Sequence, residues 1–268
     1  MSSYNAVILG GTSGFGKYIT SELLKQEKFN IIILGLNKPL KKNRRLKFFK
    51  CNLSKIDQIK NSISRLEKKI KKIDILILNS GSFFLKKEII DNKYEKTFLV
   101  NFYSQYLLIK KLKKKILRSN IRKIIIISSH VIVNHSLDMK DIQSLNKFNF
   151  WKSYKNSKTL LFFLANYLFL KEKKKISYLF FNPGRIKTNL GSNLKIIGFI
   201  ISLYHKIFGE NPELISKRLI KYLMKNLNKH KLFKFKGFQN TSLIRNLMQK
   251  NRNRKILINY VYKLSKNI

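Results

Sequence analysis

Residues 4–20 read Tyr-Asn-Ala-Val-Ile-Leu-Gly-Gly-Thr-Ser-Gly-Phe-Gly-Lys-Tyr-Ile-Thr. The apolar run at 6–9 predicts a buried strand. Gly10, Gly14 and Gly16 come directly after it, and apolar residues then recur at helical spacing. Glycine allows backbone angles that side chains resist, and it lets a diphosphate approach the N–H groups at a helix N-terminus. The stretch therefore predicts strand, turn and helix with a dinucleotide site, although a tight turn without a ligand shares the pattern.

Length and composition favour a single α/β domain over residues 1–268. The chain is long enough to bury a full core, and 44% of its residues are hydrophobic. The one cysteine, Cys51, excludes an internal disulfide and fits a reducing compartment. The first residues lead straight into the first predicted strand without the pattern of a signal peptide. We therefore expect a cytoplasmic protein, and no apolar run is long enough to span a bilayer.

The charge of the chain is extreme, with 57 Lys and Arg against 13 Asp and Glu and a formal net charge of +44. Such a charge attracts nucleic acid, anionic lipid or anionic metabolites. The basic residues are spread along the whole chain, and Lys, Asn, Ile and Phe are abundant everywhere. This favours compositional drift in an AT-rich gene over a specific nucleic-acid site. Peripheral contact with an anionic membrane remains an alternative.

Short apolar runs alternate with segments of helical periodicity. The predicted strands are 6–9, 30–34, 46–53, 73–78, 123–127 and 176–181, and the predicted helices are 56–70, 94–117, 151–170 and one that begins at 212. Continuous apolar strands alternating with helices indicate a parallel sheet covered on both faces. Ligands of such sheets bind at the carboxyl ends of the strands.

Three residues near that edge of the sheet form a candidate acid–base site. Tyr154 and Lys158 are four residues apart in a predicted helix and so lie on the same side of it. A lysine ammonium near a phenol lowers the pKa of the phenol, which can then exchange a proton with a carbonyl or an alcohol. Ser129 follows the strand at 123–127, where its hydroxyl can bind a substrate oxygen. Taken singly, these residues also fit a surface pair and a turn serine.

The chain resembles the short-chain dehydrogenase/reductase family, whose motifs are present in order along nearly its whole length. They are the glycine segment Gly10 to Gly16, Asn52-Leu53-Ser54, Asp74, Leu78-Asn79-Ser80-Gly81, Asn101, Ser129, Tyr154 with Lys158, and Pro183 to Thr188. Each motif alone is weak evidence, but the ordered set is specific. The resemblance implies a Rossmann-like, doubly wound parallel sheet in three α/β/α layers with a helical substrate lid.

The resemblance also implies hydride transfer between NAD(P) and an alcohol or carbonyl, with a role for each motif residue. Tyr154 is the general acid/base, Lys158 lowers the pKa of Tyr154 and binds the nicotinamide ribose, Ser129 polarises the substrate oxygen, and Asn101 holds a water linked to Lys158. The implied cofactor-binding residues are Gly10, Thr12, Ser13, Gly14, Phe15, Gly16, Asn52, Leu53, Asn79, Ser80, Gly81, Tyr154, Lys158, Pro183, Gly184, Ile186 and Thr188. No metal is expected, because the sequence has no cluster with metal-ligand spacing.

Some positions depart from the family pattern. Leu78 replaces the first asparagine of its motif and Asn52 replaces the usual aspartate, and both positions are mainly structural or face the adenine. The separation of Ser129 and Tyr154 is longer than in the simplest members. Together with Asp141 in this insertion, the separation resembles the retinol-dehydrogenase-like branch.

The end of the second predicted strand bears on the choice of cofactor. An acid at this position binds the ribose 2′-hydroxyl and repels a 2′-phosphate. Residues 35–38 are Gly-Leu-Asn-Lys without an acid. Lys41 and Lys42 follow closely, and Lys17 lies just past the glycine segment. The sequence therefore favours NADP(H) over NAD(H).

The segment 189–230 is the predicted substrate lid. Its first part, up to 209, is strongly apolar, which favours an apolar or lipid-like substrate. A packed helix, an oligomer contact and an interfacial membrane helix are alternatives that fit the same residues. The basic tail after 231 contains hints of helices.

These observations predict an NADP(H)-dependent oxidoreductase that acts on a small-molecule alcohol or carbonyl and forms a homo-oligomer. One alternative is a sugar or surface-glycan reductase or epimerase of the same superfamily. The other is a non-catalytic, basic Rossmann-fold binding protein. An intact set of Asn101, Ser129, Tyr154 and Lys158 disfavours this last alternative, because a binding protein has no need of all four.

Overall fold

The computed structural model describes residues 3–40, 42–132, 135–187, 209–229, 233–236, 259–260 and 263. Seven of their strands are β1 (Tyr4–Leu9), β2 (Phe29–Gly35), β3 (Leu46–Lys50), β4 (Ile75–Leu78), β7 (Lys123–Ile127), β8 (Ser177–Phe181) and β9 (Phe233–Lys236). They form one parallel sheet in the order β3-β2-β1-β4-β7-β8-β9. The chain winds outward in one direction from β1 and in the other from β4. This reversal opens a crevice at the carboxyl ends of β1 and β4, where ligands bind in such sheets.

Helices cover both faces of the sheet. They are α1 (Gly14–Leu24), α2 (Ile56–Lys69), α3 (Lys96–Phe98), α4 (Ser104–Leu117), α5 (Phe150–Lys171) and α6 (Pro212–Lys225). Side chains of β1 alternate between the faces: Val7 and Leu9 pack with α2, α4 and α5, whereas Ala6 and Ile8 pack with α1 and α6. Because both faces are covered, the strands carry continuous apolar runs. The predicted α/β/α fold is confirmed.

The predicted helix at 94–117 begins two residues late, at Lys96, and is not α-helical throughout. Two short antiparallel strands, β5 (Ile89–Ile90) and β6 (Tyr94–Glu95), precede α3. The Glu95 side chain accepts hydrogen bonds from the N–H groups of Thr97 and Phe98, which fixes the start of that helix. A π-helical turn, Leu99–Tyr103, then separates α3 from α4.

Two further expectations need correction. The third strand ends at Lys50, short of the predicted end at 53, because the chain turns there: the Ser54 N–H donates to the Asn52 side-chain oxygen at 2.9 Å. The tail contributes β9, a strand that was not predicted and that pairs with β8. Its sequence, Phe-Lys-Phe-Lys, has the two-residue alternation of a strand, and this signal was overlooked. No helix in the described residues combines the length and apolarity needed to cross a bilayer.

Candidate active site and cofactor cleft

The glycine turn after β1 is packed too closely for a side chain at Gly10 and at Gly16. Gly10 has φ +77°, a left-handed conformation that favours glycine. A Cβ on Gly16 would lie 1.9 Å from the Gly10 carbonyl oxygen. The Asn79 side-chain amide at the end of β4 donates to that same oxygen at 2.8 Å. The turn is therefore held against the neighbouring strand, at the crevice between β1 and β4.

The N-terminus of α1 is open to an anion. Ser13 is the exposed N-cap residue, its side chain makes no capping hydrogen bond, and the first turn carries no acid. The Thr20 hydroxyl donates to the Gly11 and Gly16 carbonyl oxygens at 2.8 and 2.9 Å, which braces the turn from behind. Free N–H groups and the helix dipole suit a diphosphate at this point. Phe15 faces inward and stacks on Phe181, with ring centroids 6.2 Å apart.

The end of β4 connects the turn to the predicted catalytic helix. The Gln105 side-chain amide donates to the Ser80 carbonyl oxygen at 2.7 Å. A Cβ on Gly81 would lie only 2.8 Å from the Lys158 Nζ atom. Glycine at 81 therefore leaves room for the lysine.

Asn101 lies in the π-helical turn and is fully buried. Its side-chain oxygen accepts the Ser82 N–H at 2.8 Å, and its amide nitrogen donates to the Ser82 carbonyl oxygen at 2.6 Å and to the Ser157 Oγ atom at 3.1 Å. A side chain bound in this way cannot turn toward a substrate. Asn101 is thus placed to act on the site by positioning the strand end and α5.

The structure brings Ser129, Tyr154 and Lys158 together. The Ser129 side chain lies next to the Tyr154 hydroxyl and favours its ionised form. The Lys158 ammonium donates to the Ile127 carbonyl oxygen at 3.2 Å and lies 6.0 Å from the centroid of the Tyr154 ring. Tyr154 and Lys158 are both buried, on the same side of α5. The predicted acid–base group therefore stands at the carboxyl edge of the sheet.

The protonation of this group differs from the sequence expectation. Burial raises the pKa of the Tyr154 phenol, and the neighbouring Ser129 side chain only partly opposes that rise. Burial also lowers the pKa of the Lys158 ammonium to about 8. The sequence predicts that Lys158 lowers the pKa of Tyr154, but here the loss of hydration of both groups outweighs their mutual attraction. The phenol is thus held in its proton-donating form.

An aromatic cluster surrounds Tyr154, and sequence reasoning missed it. The Trp151 ring stacks on the Tyr154 ring with a centroid distance of 5.7 Å and an interplanar angle of 14°. Phe83 meets the Tyr154 ring edge-on at 5.6 Å, and Phe150 lies 6.2 Å from Phe83. In a chain with 12% aromatic residues these positions carried no distinctive signal. One signal was available, namely that Trp151 precedes Tyr154 by one helical turn.

The predicted adenine end of the cleft lies between β2 and α2. A Cβ on Gly35, the last residue of β2, would lie 3.6 Å from the Thr12 hydroxyl oxygen, so the glycine turn reaches this strand end. The Asn52 side-chain oxygen is occupied by the Ser54 N–H, and Leu53 is buried. Lys38 is exposed just beyond β2.

The last predicted motif is described only in part. Gly184 has φ +72°, and its N–H donates to the Asn182 side-chain oxygen at 3.1 Å. Pro183 precedes it, and Ile186 pairs with Glu210 in a short parallel bridge. Thr188 and the first part of the predicted lid, 189–208, lie outside the described residues.

The described residues fit a dinucleotide. The tight glycine turn brings the N-terminus of α1 to the crevice, and that N-terminus carries no competing cap or acid. Among the described parts of the chain, no group of three His, Cys, Asp or Glu residues could hold a metal ion.

The sequence pattern of the short chain dehydrogenase family matches residues 4–196. The chain belongs to this family. Its members are NAD(P)-dependent oxidoreductases that act on CH–OH or C=O groups, and the resemblance stated from the motifs is confirmed.

Two curated family members illustrate the degree of similarity. A short-chain dehydrogenase/reductase, tropG, from Talaromyces stipitatus is 25% identical over 225 residues, which cover 71% of this chain and 68% of that protein. Retinol dehydrogenase 14 from Mus musculus is 23% identical over 222 residues, which cover 73% of this chain and 65% of that protein. This chain thus spans about two-thirds of the length of both relatives.

A solved family structure shows the same fold. The crystal structure of a short chain dehydrogenase family protein from Francisella tularensis superposes with a TM-score of 0.65 at 20% identity. The superposition covers 88% of this chain and 96% of that one. At this identity the likeness speaks for the fold alone.

Proposed function

We propose that this chain is an NADP(H)-dependent oxidoreductase that interconverts an apolar alcohol and its carbonyl compound. The observation that carries the proposal is the meeting of Ser129, the buried Tyr154 and the buried Lys158 at the carboxyl edge of the sheet, beside an α1 N-terminus that is open to a dinucleotide. Two hydroxyls that meet in a buried site can hold one substrate oxygen between them. A structural role for Tyr154 requires neither Ser129 nor a buried lysine one turn away.

In the proposed mechanism, Tyr154 exchanges a proton with the substrate oxygen. The raised pKa of the phenol keeps it protonated at neutral pH, which suits donation to a carbonyl oxygen as negative charge develops there. Ser129 donates a second hydrogen bond to the same oxygen and fixes its position. When bound, the nicotinamide supplies the hydride that reaches the carbonyl carbon.

Lys158 and Asn101 support that exchange. With a pKa of about 8, the Lys158 ammonium is able to release and regain a proton near physiological pH. It also lies within reach of a nicotinamide ribose held beside Gly81. Asn101 fixes the Ser82 backbone and contacts Ser157, one residue before Lys158, so it positions the lysine and the strand end together.

The preference for NADP(H) rests on charge. The exposed Lys38 follows β2, and residues 36–47 contain no acid that would repel a 2′-phosphate. Lys17, just past the glycine turn, is also exposed. The proposal predicts that NADPH binds more tightly than NADH.

The remaining parts of the proposal concern the whole chain. Residues 1–268 act as one domain, and of the segment 189–230 the part before α6 covers the substrate, because α6 itself packs against the sheet. Placement near the retinol-dehydrogenase-like branch, a homo-oligomeric assembly and peripheral contact with an anionic membrane are part of the same proposal. The apolar sequence of the segment after Thr188 supports an apolar substrate.

Steady-state oxidation of NADPH with a panel of apolar and sugar-derived carbonyl compounds tests the proposal. We expect turnover of apolar carbonyls, and a loss of about 10²- to 10⁴-fold in kcat for Tyr154→Phe, because general acid catalysis contributes that much. Tyr167→Phe is the matched control, since Tyr167 is a half-buried phenol on the same helix, about 20 Å further along. Full activity in Tyr154→Phe, or turnover of the sugar-derived compounds alone, would contradict the proposal.

A further inference from the structure

Trp151 is the only tryptophan in the chain, and 40% of its surface is exposed. Among the described residues it is the one aromatic side chain in the set of exposed large hydrophobic residues. It lies one turn before Tyr154 on α5. It is in direct contact with the proposed catalytic phenol, so its exposed surface borders the site.

The Trp151 ring has a fixed orientation. Its face lies nearly parallel to the Tyr154 ring, at 14°, and Phe83 meets it edge-on at 88° with centroids 6.3 Å apart. The Lys155 ammonium lies 5.7 Å from the Trp151 ring centroid. A ring held by a stack, an edge contact and a cation does not turn freely, so its exposed part is a preformed surface.

The surroundings of the cluster are apolar. Phe83 is 95% buried and follows Gly81, the glycine that accommodates Lys158. Leu85, Val131 and Phe150 pack against Phe83 and Tyr154 as partly buried hydrophobic residues. The wall beside the phenol thus consists of aromatic faces and edges and aliphatic side chains.

We propose that Trp151, supported by Phe83, is the specificity-determining wall of the substrate site and selects carbonyl compounds whose C=O group is attached to a flat, unsaturated ring. This inference rests on the proposed function, because it takes the substrate oxygen to lie at Ser129 and Tyr154. A substrate ring bonded to that carbonyl carbon reaches the part of the Trp151 ring that Tyr154 leaves uncovered and makes an aromatic contact with it. Stacked aromatic rings gain more than their buried area alone provides, whereas a puckered ring of similar size gains only the area.

Two aldehydes of nearly equal size test the inference by kinetics. We expect wild type to reduce benzaldehyde with a kcat/KM about two- to tenfold higher than that for cyclohexanecarboxaldehyde, which is the range of one aromatic pair. Trp151→Leu keeps an apolar side chain but removes the flat face, so the preference disappears, mainly through KM. Trp151→Phe retains most of it. Leu170→Ala, at an exposed leucine near the other end of α5, is the control and changes nothing.

A binding experiment separates this inference from the proposed reaction. Benzamide and cyclohexanecarboxamide carry the same two rings on an unreactive carbonyl group, and Trp151 fluorescence reports their binding directly, because no other tryptophan contributes. We expect benzamide to perturb the emission at about two- to tenfold lower concentration. If benzamide binds in this way but no aldehyde is reduced, the proposed reaction is refuted and the role of Trp151 in selecting flat rings is supported. Equal affinity for both amides, or an aldehyde preference unchanged in Trp151→Leu, would overturn the inference.

Discussion

At the scale of single residues, Gly14 and Gly16 of the glycine turn differ in whether there is room for a side chain. A Cβ on Gly16 would lie 1.9 Å from a backbone oxygen that cannot move without opening the turn. A Cβ on Gly14 would meet no atom within 4 Å, although its φ of +50° makes a side chain unfavourable. Gly16 is therefore required for packing, and Gly14 only for its backbone angle.

We expect Gly16→Ala to weaken NADPH binding at least about tenfold, which corresponds to about 1.4 kcal/mol. Gly14→Ala is the matched control and should lose only about 1 kcal/mol of stability from the left-handed conformation. Isothermal titration with NADPH and urea unfolding measure the two effects. Equal binding by both variants would show that the turn does not form the cofactor cradle.

Lys158 should make stability depend on pH. Burial lowers its pKa to about 8 from an ordinary value of 10.5, and Lys123 is shifted in the same way. Between about pH 8 and 10 the unfolded chain therefore binds more protons than the folded chain, and the free energy of unfolding rises with pH. Each lysine adds up to about 1.4 kcal/mol per pH unit in this window.

Lys158→Met removes one of these two contributions. We expect the slope of unfolding free energy against pH to become shallower by about 1 kcal/mol per pH unit. Urea unfolding at several pH values below about 10 measures this slope. Above that pH the raised pKa of Tyr154 makes the free energy of unfolding fall with pH, which opposes the effect of the lysines. An unchanged slope would mean that Lys158 is not a desolvated ammonium.

The residues of the acid–base site could be predicted from sequence because a fixed helical spacing places Tyr154 and Lys158 together. The pKa values of that pair could not be predicted from sequence, since they depend on how deeply both groups are buried. The spacing of residues does not show this. Trp151 was missed for a related reason. Its significance is its exposure and its stack on Tyr154, and neither is visible in a chain rich in aromatic residues.

At the scale of elements, the insertion before α5 is organised around one carboxylate. Asp141 accepts hydrogen bonds from the N–H groups of Leu145, Asn146 and Lys147, at 2.7, 3.2 and 3.0 Å. Burial alone would raise the pKa of Asp141, but these N–H groups outweigh it and hold the pKa below its ordinary value. Asp138 lies three residues earlier and is exposed.

Asp141→Ala leaves those N–H groups without their partner, and we expect a loss of about 1–3 kcal/mol in the free energy of unfolding. Asp138→Ala is the control in the same insertion and should cost less, because its two N–H partners at 3.1 and 3.3 Å lie close to water and its ion pair with Lys152 contributes little. Chemical denaturation of both variants measures the difference. A larger effect for Asp138→Ala would contradict the assigned role of Asp141.

The strands and long helices were predictable at this scale because their apolar periodicity follows directly from burial. The π-helical turn at Leu99–Tyr103 was not predictable, since it depends on tertiary contacts. The Asn101 side chain in this turn binds the Ser82 backbone near the end of a distant strand. β9 is the opposite case. The alternation of Phe and Lys is present in its sequence, but it covers only four residues of a basic tail and is therefore a weak signal.

At the scale of the whole molecule, the sheet order places the glycine turn, the end of β4 and α5 around one crevice. The family pattern over residues 4–196 and the parallel sheet agree on this arrangement. The net charge of +44 is spread over the whole chain and is not concentrated at the crevice. Whether the chain transfers hydride is thus a question about one site, separate from its basic surface.

Transfer of deuterium is the most direct test of that central claim. Wild-type protein is incubated with NADPH deuterated at both C4 positions and with benzaldehyde, and the alcohol is analysed by mass spectrometry. We predict one deuterium on the carbinol carbon of the benzyl alcohol, and labelling about 10²- to 10⁴-fold slower with Tyr154→Phe. Wild-type protein that binds NADPH but yields no labelled alcohol from benzaldehyde or any other carbonyl compound of the panel would contradict the assignment.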